Sequence, residues 1–317
     1  MRILVAGGTG FLGSFLCDRI LADDHDVICV DNLLTSSLDN IAHLDSNKRF
    51  RFVNHDITRP LPNDLAADAV FHLASPASPN HHSPISYHAL PMETMMANTT
   101  GTKLLLEFCQ KNNAKFLFAS TSEVYGDPLV HPQTEKYNGN VTTTGPRSIY
   151  DEAKRFGETL TAYFCRDCGV DARIARIFNS YGPRMNSRDM RVSIRFIEQA
   201  LTGADITIYG DGLQTRSLCY ATDTVDGLYR LMMKPKTNTS IVNIGSQDEY
   251  TIMGFAQLVK ELTGSASQIK ISEKLPKDDP LKRRADITLA KKLLDWEPTT
   301  SLKQGLKMTI EYVKQRS

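Results

Sequence analysis

The chain has 317 residues, of which 41% are apolar and 23% charged, and these values suit a globular protein with one large domain or two smaller ones. Lys and Arg total 37 against 36 Asp and Glu, so no overall electrostatic field favours nucleic acid or a membrane surface as a partner. The N-terminal apolar run is too short for a signal peptide and no run is long enough to span a bilayer, so we expect a cytoplasmic protein.

Short apolar strands alternate with helical segments through the first 180 residues. This alternation is typical of βαβ units and predicts an α/β fold with a Rossmann-type, doubly wound parallel sheet. The predicted strands cover residues 2–6, 26–31, 50–55, 69–74, 115–120 and 171–178, and the predicted helices cover residues 11–23, 92–113 and 148–168. Residues 76–91 contain four prolines and should form an irregular loop.

The alternation loosens in the second half of the chain. There we predict helices near 191–203, 222–233, 252–263, 287–294 and 301–315, and a strand in ITIYG at 206–210. An apolar run near 240–245 should return to the main sheet as a further strand. The predicted organisation is a cofactor-binding Rossmann domain at 1–180 and a smaller, mixed α/β substrate-binding lobe at 181–317, with a cleft between them.

A glycine-rich turn lies between the first predicted strand and the first helix. It reads GxxGxxG, and glycines there permit a tight turn, close approach of a pyrophosphate to the backbone, and close packing of the helix on its strand. The anion would lie on free N–H groups at the helix N-terminus. The predicted cofactor contacts in this turn are Gly7, Gly10, Phe11, Leu12 and Gly13.

Asp31 ends the second predicted strand. An acidic side chain at this position accepts hydrogen bonds from the adenosine ribose and repels a 2′-phosphate, and no Lys or Arg occurs between Asp31 and Lys48. NAD is therefore favoured over NADP. Asp56 and Ile57, after the third strand, would flank the adenine, although a plain turn is an almost equal interpretation of Asp56.

Tyr150 and Lys154 are spaced to lie on one face of a helix. An ammonium group beside a phenol, helped by an oxidised nicotinamide, lowers the phenol's pKa, so Tyr150 can take a proton from an alcohol. Alone, this spacing also fits an ordinary surface pair. The run STSEVYG at 120–126 adds hydroxyls and a single carboxylate, Glu123, although Ser and Thr after a strand often only cap a turn.

Together, the glycine turn, Asp31, STSEVYG and YDEAK resemble the extended short-chain dehydrogenase/reductase superfamily over essentially the whole chain. Longer runs resemble the UDP-glucuronate decarboxylase (UDP-xylose synthase) family within it. These runs lie at residues 73–78, 120–128, 131–135, 145–155, 175–185, 209–217 and 282–287.

The resemblance implies NAD-dependent conversion of UDP-glucuronate to UDP-xylose, by oxidation at C4, loss of CO₂ and reduction of the remaining ketone. It implies further cofactor contacts from Asn32, Leu73, Ala74, Ser75 and Asn98, in addition to Tyr150 and Lys154. The implied catalytic residues are Thr121, Ser122, Glu123, Tyr150 and Lys154.

Ser122 and Glu123 carry the choice of reaction. Related 4,6-dehydratases have Asp at the position of Ser122, because loss of a 6-hydroxyl requires a general acid. A 4-keto glucuronate is a β-keto acid and loses CO₂ without an acid to expel a leaving group, so one carboxylate suffices. The resemblance assigns Glu123 to the region of C5 and to the protonation there.

The resemblance also implies how the substrate and a second subunit are bound. Asn179, Arg191, Arg216 and Arg283 would hold the pyrophosphate, since Arg and amide groups suit phosphate oxygens. Tyr209 and Asn243 would contact the nucleoside, and Ser122 the sugar. The expected oligomer is a homodimer, formed through a four-helix bundle of helices 92–113 and 150–168.

The loop at 76–97 departs from the family pattern. It is about five residues longer, as judged by matching its flanks, and Glu93 and Met96 stand where two lysines are usual, which puts recognition of the glucuronate carboxylate in doubt. It also contains His81, His82 and His88, for which no carboxylate or cysteine spacing supports a metal, so solvated histidines are expected. The six cysteines lie mostly in apolar periodic segments and should be reduced. The CxxC pair Cys165 and Cys168 has no second pair to complete a zinc site.

Other functions remain open at this point. A nucleotide-sugar 4-epimerase needs Tyr, Lys and Thr but no carboxylate at position 123, and a 4,6-dehydratase needs Asp at 122. A non-catalytic NAD-binding module would be expected to lose Tyr150 or Lys154, and both are present.

Overall fold

The fold was analysed in a computed structural model, which describes residues 1–235, 240–276 and 279–316. In chain order its strands are β1 (Arg2–Ala6), β2 (Asp26–Asp31), β3 (Phe50–Asn54), β4 (Ala69–His72), β5 (Lys115–Thr121), β6 (Ala172–Ile177), β7 (Ser180–Tyr181), β8 (Ile206–Tyr209), β9 (Thr215–Ser217), β10 (Cys219–Tyr220), β11 (Ser240–Ile244), β12 (Glu249–Thr251), β13 (Ile269–Glu273) and β14 (Lys282–Arg283).

The helices agree closely with the amphipathic patterns of the sequence. In chain order they are α1 (Phe11–Ala22), α2 (Pro91–Met96), α3 (Thr102–Asn112), α4 (Ser148–Asp167), α5 (Val192–Thr202), α6 (Ala221–Met233), α7 (Ile252–Thr263), α8 (Thr288–Leu294) and α9 (Leu302–Lys314). Among the described residues, none of these helices combines the length and the apolar character needed to cross a membrane.

Seven strands within the described ranges form one parallel sheet in the order β11-β6-β5-β4-β1-β2-β3. This confirms the doubly wound Rossmann prediction, including the return of the run near 240–245 as β11, which pairs with β6. The strand order reverses between β1 and β4. In open α/β sheets such a reversal leaves a crevice at the carboxyl ends of the strands, where ligands bind.

A hydrophobic layer covers each face of this sheet. Apolar side chains of α1 and α6 pack on one face, and those of α3 and α4 on the other. A separate cluster lies among α5, α7 and α9 in the second half of the chain. Residues of α6 and α8 share the first cluster with the N-terminal strands, so the division at residue 180 stays a prediction.

Some local features differ from the sequence prediction. The predicted helix 92–113 is interrupted by a π-helical turn at Ala97–Gly101, which separates α2 from α3. The strands β7, β9, β10, β12, β13 and β14 were not predicted. All but β13 have only two or three residues and show no periodic pattern. The strand β13 has five residues and was missed as well. The 76–91 segment is irregular, as expected, and all six cysteines are free.

Candidate active site

Two adjoining cavities lie at the carboxyl ends of the central strands. The larger has a volume of about 680 Å³ and the smaller about 270 Å³. Gly7, Gly10, Leu73 and Ser75 line both cavities, so the two form one continuous cleft. Predicted site residues that line only the larger cavity are Phe11, Leu12, Gly13, Thr121, Ser122, Glu123, Tyr150, Lys154, Asn179, Arg191, Tyr209 and Arg216.

The glycine turn leaves no room for a side chain at Gly7 or Gly13. Gly7 has a φ of +83°, and a Cβ on it would lie 2.7 Å from the backbone nitrogen of Ala74. A Cβ on Gly13 would lie 2.0 Å from the carbonyl oxygen of Gly7. The turn therefore brings bare backbone to the floor of the cleft, at the N-terminus of α1, which is the arrangement that a pyrophosphate needs.

Asp31 organises the edge of this turn. Its carboxylate accepts hydrogen bonds from the backbone N–H groups of Thr9 (3.2 Å) and Leu33 (2.9 Å) and from the hydroxyl of Ser36 (3.0 Å). Asp31 also lines the smaller cavity. A carboxylate fixed in this way presents negative charge where the ribose of a dinucleotide would lie.

The smaller cavity has the composition expected for an adenosine pocket. It is lined by the predicted residues Asn32, Asp56, Ile57 and Ala74, and no Lys or Arg among the described residues lines it. Such a pocket offers no cation to a 2′-phosphate, which agrees with a preference for NAD.

Glu93 and Met96, which stand where two lysines were expected, also line the smaller cavity. They do not line the larger cavity that contains Tyr150. Both positions therefore lie in the part of the cleft predicted to hold the adenosine, and not in the cavity that Tyr150 lines.

Asn98 lies in the π-helical turn and is fully buried. Its side-chain nitrogen donates hydrogen bonds to the hydroxyl of Ser75 and the carbonyl of Thr94, both at 2.8 Å. Its Oδ1 has no hydrogen-bond partner. An unpaired buried acceptor beside a cleft residue, together with the bare glycine turn and Asp31, fits the polar groups of a bound dinucleotide.

Tyr150 and Lys154 project from the first half of α4, which packs tightly on β5. The close approach depends on Gly157, since a Cβ there would lie 2.3 Å from the Phe118 ring. Burial raises the pKa of Tyr150 to about 12, although Arg191 and a hydrogen bond with Thr121 act to lower it. Burial lowers the pKa of Lys154 to about 7, and its ammonium donates to the carbonyl of Ala119 at 2.7 Å.

The sequence analysis missed Tyr87, which lies in the loop at 76–97, here called the long loop. Its ring stacks on that of Tyr150, with centroids 5.1 Å apart and planes 10° apart. The ring is buried and lines the larger cavity. Nothing in the local sequence indicated this contact, because it joins a loop to a helix 63 residues further along the chain.

Glu123 is held between two arginines. Arg147 donates to its Oε2, and Arg283 donates to its Oε1 at 2.5 Å and to the hydroxyl of Ser122 at 3.0 Å. Burial alone would raise the pKa of Glu123, but the charges of Arg283 and Arg147 outweigh it and lower that pKa to about 2. Glu123 is therefore a carboxylate at neutral pH.

Arg147 is a second residue that the sequence analysis did not single out, although it lies in the resembling run at 145–155. It forms an ion pair with Asp279 at 3.2 Å, and Arg216 pairs with the same carboxylate at 2.8 Å. Asp279 therefore links Arg216, from the C-terminal half of the chain, to Arg147, which in turn pairs with the carboxylate of Glu123.

The remaining predicted substrate residues are placed differently from one another. Asn179 and Tyr209 line the larger cavity, and Arg191 lies there beside Asp189 at 3.1 Å. Arg283, expected to close over a pyrophosphate, is instead almost fully buried and engaged with Ser122, Glu123 and the carbonyl of Gly126. Arg283 thus lies next to Ser122 and Glu123 and lines neither of the two cavities.

Asn243 does not reach the cleft. It is fully buried, accepts a hydrogen bond from Tyr125 at 2.7 Å, and donates to the carbonyls of Gln133 (3.0 Å) and Asp286 (3.2 Å). The hydroxyl of Tyr125 also accepts a hydrogen bond from Arg176. Asn243 was expected to contact the nucleoside. In the structure its hydrogen bond with Tyr125 instead holds the STSEVYG segment in place from the protein interior.

The long loop is fixed to the second half of the chain by its hydroxyl and amide side chains. Ser78 donates to the carbonyl of Asp189 (2.6 Å), Asn80 to that of Met190 (2.8 Å) and Ser83 to that of Arg188 (2.6 Å). The loop thus crosses the larger cavity and carries Tyr87 to Tyr150. Of the histidines expected to be solvated, His81 and His82 are exposed and His88 is half-buried.

The chain is similar to nucleotide-sugar enzymes over its whole length. Residues 3–245 match the NAD dependent epimerase/dehydratase family. UDP-glucuronic acid decarboxylase 5 of Arabidopsis thaliana is 47% identical over 312 residues, which cover 98% of this chain and 89% of that protein. UDP-glucuronic acid decarboxylase 1 of Xenopus tropicalis is 45% identical over 313 residues, which cover 99% of this chain and 72% of that protein.

A solved structure has the same fold. The UDP-glucuronic acid 4-epimerase from Bacillus cereus, in complex with UDP-glucuronic acid and NAD, is 30% identical with a TM-score of 0.87, and the match covers 100% of both chains. With the glycine turn, Asp31 and the Tyr150–Lys154 helix in place, these matches confirm the resemblance and NAD as the cofactor. The chain belongs to the NAD dependent epimerase/dehydratase family, and the relatives that it matches at 45–47% identity are UDP-glucuronic acid decarboxylases.

Proposed function

We propose that the protein is an NAD-dependent decarboxylase that converts UDP-glucuronate to UDP-xylose and regenerates its cofactor within each cycle. The observation that carries the proposal is the set of groups around Tyr150. Ser122 stands where a dehydratase has Asp, and Glu123 is held as a carboxylate by Arg147 and Arg283. Loss of CO₂ from a β-keto acid needs no protonated acid to expel a leaving group.

Tyr150 takes the proton from the 4-hydroxyl in this scheme. When bound, NAD supplies the hydride acceptor at C4 and a positive charge that lowers the pKa of the phenol. Lys154 acts in the same direction as a cation on the same face of α4, and Thr121 holds the tyrosine hydroxyl in place. The pKa of about 12 for Tyr150 shows why such help is needed.

Arg147 and Arg283 determine the electrostatics of the following step. They neutralise the negative charge of Glu123. The carboxylate of the substrate can therefore approach Glu123 without meeting an uncompensated charge of the same sign. After CO₂ leaves, C5 takes a proton, and Tyr150 returns its proton to the oxygen at C4 as that carbon is reduced again. Glu123 lies beside this centre and positions the sugar through its two arginine partners.

A 4-epimerase of the same substrate is the second candidate, because the Bacillus cereus epimerase shares the fold at a TM-score of 0.87. A 4,6-dehydratase and a non-catalytic NAD-binding module are weaker candidates, since the former needs an acid at 122 and the latter does not need Tyr150 with Lys154. Incubation with NAD and either UDP-glucuronate or UDP-glucose, followed by chromatography and mass analysis, separates them, because a C4 epimer keeps the mass of its substrate but elutes as a different compound. We expect loss of CO₂ from UDP-glucuronate only; an unchanged mass or loss of water would support another candidate.

We further propose a homodimer formed through α2, α3 and α4. Four apolar side chains of these helices are exposed, at Met92 (58%), Met96 (38%), Phe156 (49%) and Tyr163 (48%). Phe156 and Tyr163 lie seven residues apart and therefore on one face of α4. Light scattering should give a dimeric mass for the wild-type protein and a monomeric mass for Phe156→Glu, and a monomeric wild-type protein would contradict the proposal.

The nucleotide-sugar-binding role of residues 181–317 and the cytoplasmic location are part of the same proposal. The binding role is supported by the lining of the larger cavity, which includes Arg191, Tyr209 and Arg216 from this half of the chain and Asn179 just before it.

A further inference from the structure

Two loop histidines and a glutamate from the C-terminal half of the chain converge beside the larger cavity, which His81 lines. The Nε2 atom of His81 lies 3.4 Å from Oε2 of Glu273, and the Nε2 atom of His82 lies 2.9 Å from Oε1 of the same carboxylate. One ligand atom from each of the three residues can be chosen so that all lie within 4.8 Å of one another. Sequence spacing could not show this group, because Glu273 is 191 residues from His82.

We propose that His81, His82 and Glu273 form a binding site for a divalent transition metal ion, with Zn²⁺ as its best match. Two imidazoles and one carboxylate are a ligand set that suits Zn²⁺ and other first-row transition metals, whereas Mg²⁺ and Ca²⁺ prefer oxygen ligands alone. The site goes beyond the proposed decarboxylase activity and does not depend on it.

The distances suit coordination. Zn–N and Zn–O bonds of about 2.0–2.1 Å at a tetrahedral angle place ligand atoms about 3.3 Å apart. The two separations, 3.4 Å to Oε2 of Glu273 and 2.9 Å to its Oε1, bracket this value, and one ligand atom from each residue lies within 4.8 Å of the other two. The three side chains are 40%, 49% and 42% exposed, so an ion can reach them from solvent and keep a water molecule as its fourth ligand.

The backbone on each side of the site is fixed. Asn80 accepts a hydrogen bond from the N–H of His82 (2.9 Å) and donates to the carbonyl of Met190. Glu273 ends β13, and its carbonyl accepts a hydrogen bond from Gly210, next to β8. Little reorganisation is needed to bind an ion here, which favours a defined site over transient contact with a mobile histidine.

An ion at this position would act as a clamp across the cleft. It would join the loop that carries Tyr87 to β13, which pairs with β8 and the predicted nucleoside contact Tyr209. The rings of His81 and His82 lie 6.0 and 6.5 Å from that of Tyr209. The clamp therefore lies at the position where a nucleotide sugar enters or leaves.

The test is calorimetric titration of chelator-treated protein with Zn²⁺, in a Cys165→Ser, Cys168→Ser background that removes the CxxC pair. We expect one ion per chain, and at least tenfold weaker binding in His81→Ala, His82→Ala and Glu273→Gln. His43→Ala is the matched control, because His43 is an exposed histidine paired with a single aspartate, Asp18, at 2.7 Å; it should bind like the background protein.

Hydrogen exchange provides a second readout that activity does not influence. Zn²⁺ should slow amide exchange in residues 79–90 of the background protein and not in Glu273→Gln. The proposal is overturned if no saturable Zn²⁺ binding occurs, or if Glu273→Gln binds Zn²⁺ as tightly as the background protein, since the three residues would then form only an ion pair.

Discussion

At the scale of single residues, we expect Asp31 to determine the preference for NAD over NADP. Its carboxylate faces the smaller cavity, which no described Lys or Arg lines. Asp31→Ala should reduce the preference for NAD over NADP, because it removes both a hydrogen-bond acceptor for the ribose and a charge that repels a 2′-phosphate. Fluorescence titration with both dinucleotides measures this. Comparable affinities of the wild-type protein for NAD and NADP would contradict the assignment.

Proton transfer at C4 is the role assigned to Tyr150. Tyr150→Phe should lower turnover by roughly two to four orders of magnitude, whereas Tyr163→Phe, which changes an exposed ring, should not. Lys154→Met should move the acidic limb of the pH–rate profile to higher pH. The base must be deprotonated, and loss of the neighbouring cation raises the pKa of Tyr150, already about 12 through burial. Retention of most activity by Tyr150→Phe would show that another group takes the proton.

Ser122 is the residue that we expect to favour decarboxylation over dehydration. Ser122→Asp places a third carboxylate near Glu123 and that of the substrate, so turnover of UDP-glucuronate should fall at least tenfold, the rate effect of roughly 1.4 kcal/mol. Ser122→Ala is the control, because it removes the hydroxyl without adding charge. Steady-state kinetics measure both. Full activity of Ser122→Asp would mean that the residue at 122 does not select the chemistry.

Glu123→Gln should separate binding from conversion. Glutamine keeps the shape of the side chain, so UDP-glucuronate should still bind. It also leaves Arg147 and Arg283 without their anionic partner, so turnover should drop. It should also change stability in acid. Because the pKa of Glu123 is lowered to about 2, its ionised form stabilises the folded state above the ordinary pKa of the group, and this is lost as pH falls from about 4.5 towards 2.

Denaturant unfolding measured at neutral pH and at pH 3 checks the second part. The wild-type protein should lose more stability on acidification than Glu123→Gln does. Equal losses would show that the two arginines do not hold Glu123 ionised in the folded protein.

At the scale of elements, buried hydrogen bonds hold the STSEVYG segment in place. Asn243 on β11 links Tyr125 to the backbone at Gln133 and Asp286. Asn243→Ala leaves buried partners unsatisfied and should cost about 2 kcal/mol of unfolding free energy. Exposed Asn138→Ala should stay within about 0.5 kcal/mol of the wild type. If Asn243→Ala instead raised the KM for the nucleotide sugar at unchanged stability, Asn243 would contact the substrate after all.

The elements differ in how well the sequence predicted them. Strands β1 to β6 and β11 were found because each is a short run rich in apolar and β-branched residues, which is a local signal for a strand. The strands β9, β12 and β14 could not be found, because pairing between distant parts of the chain, and not local pattern, creates them. The π-helical turn at Ala97–Gly101 lies within a continuous helical pattern and had no signal of its own.

At the scale of the whole molecule, motifs identified the cleft, but only the fold showed how its residues meet. Asp31, Thr121, Tyr150 and Lys154 were predicted because each lies in a pattern with a local meaning. The pairing of Arg147 and Arg283 on Glu123 joins residues up to 160 positions apart and required the structure. The same holds for Tyr87 on Tyr150 and for the histidines beside Glu273.

The most direct test of the decarboxylase assignment uses UDP-glucuronate labelled with ¹³C in its carboxyl group, with NAD and enzyme in D₂O. We predict that the label is released entirely as CO₂, and that the product is a UDP-pentose with one deuterium at C5 and none at C4, because C5 takes its proton from solvent while C4 regains the hydride that it lost. Recovery of the label in a UDP-sugar, with or without inversion at C4, would contradict the assignment.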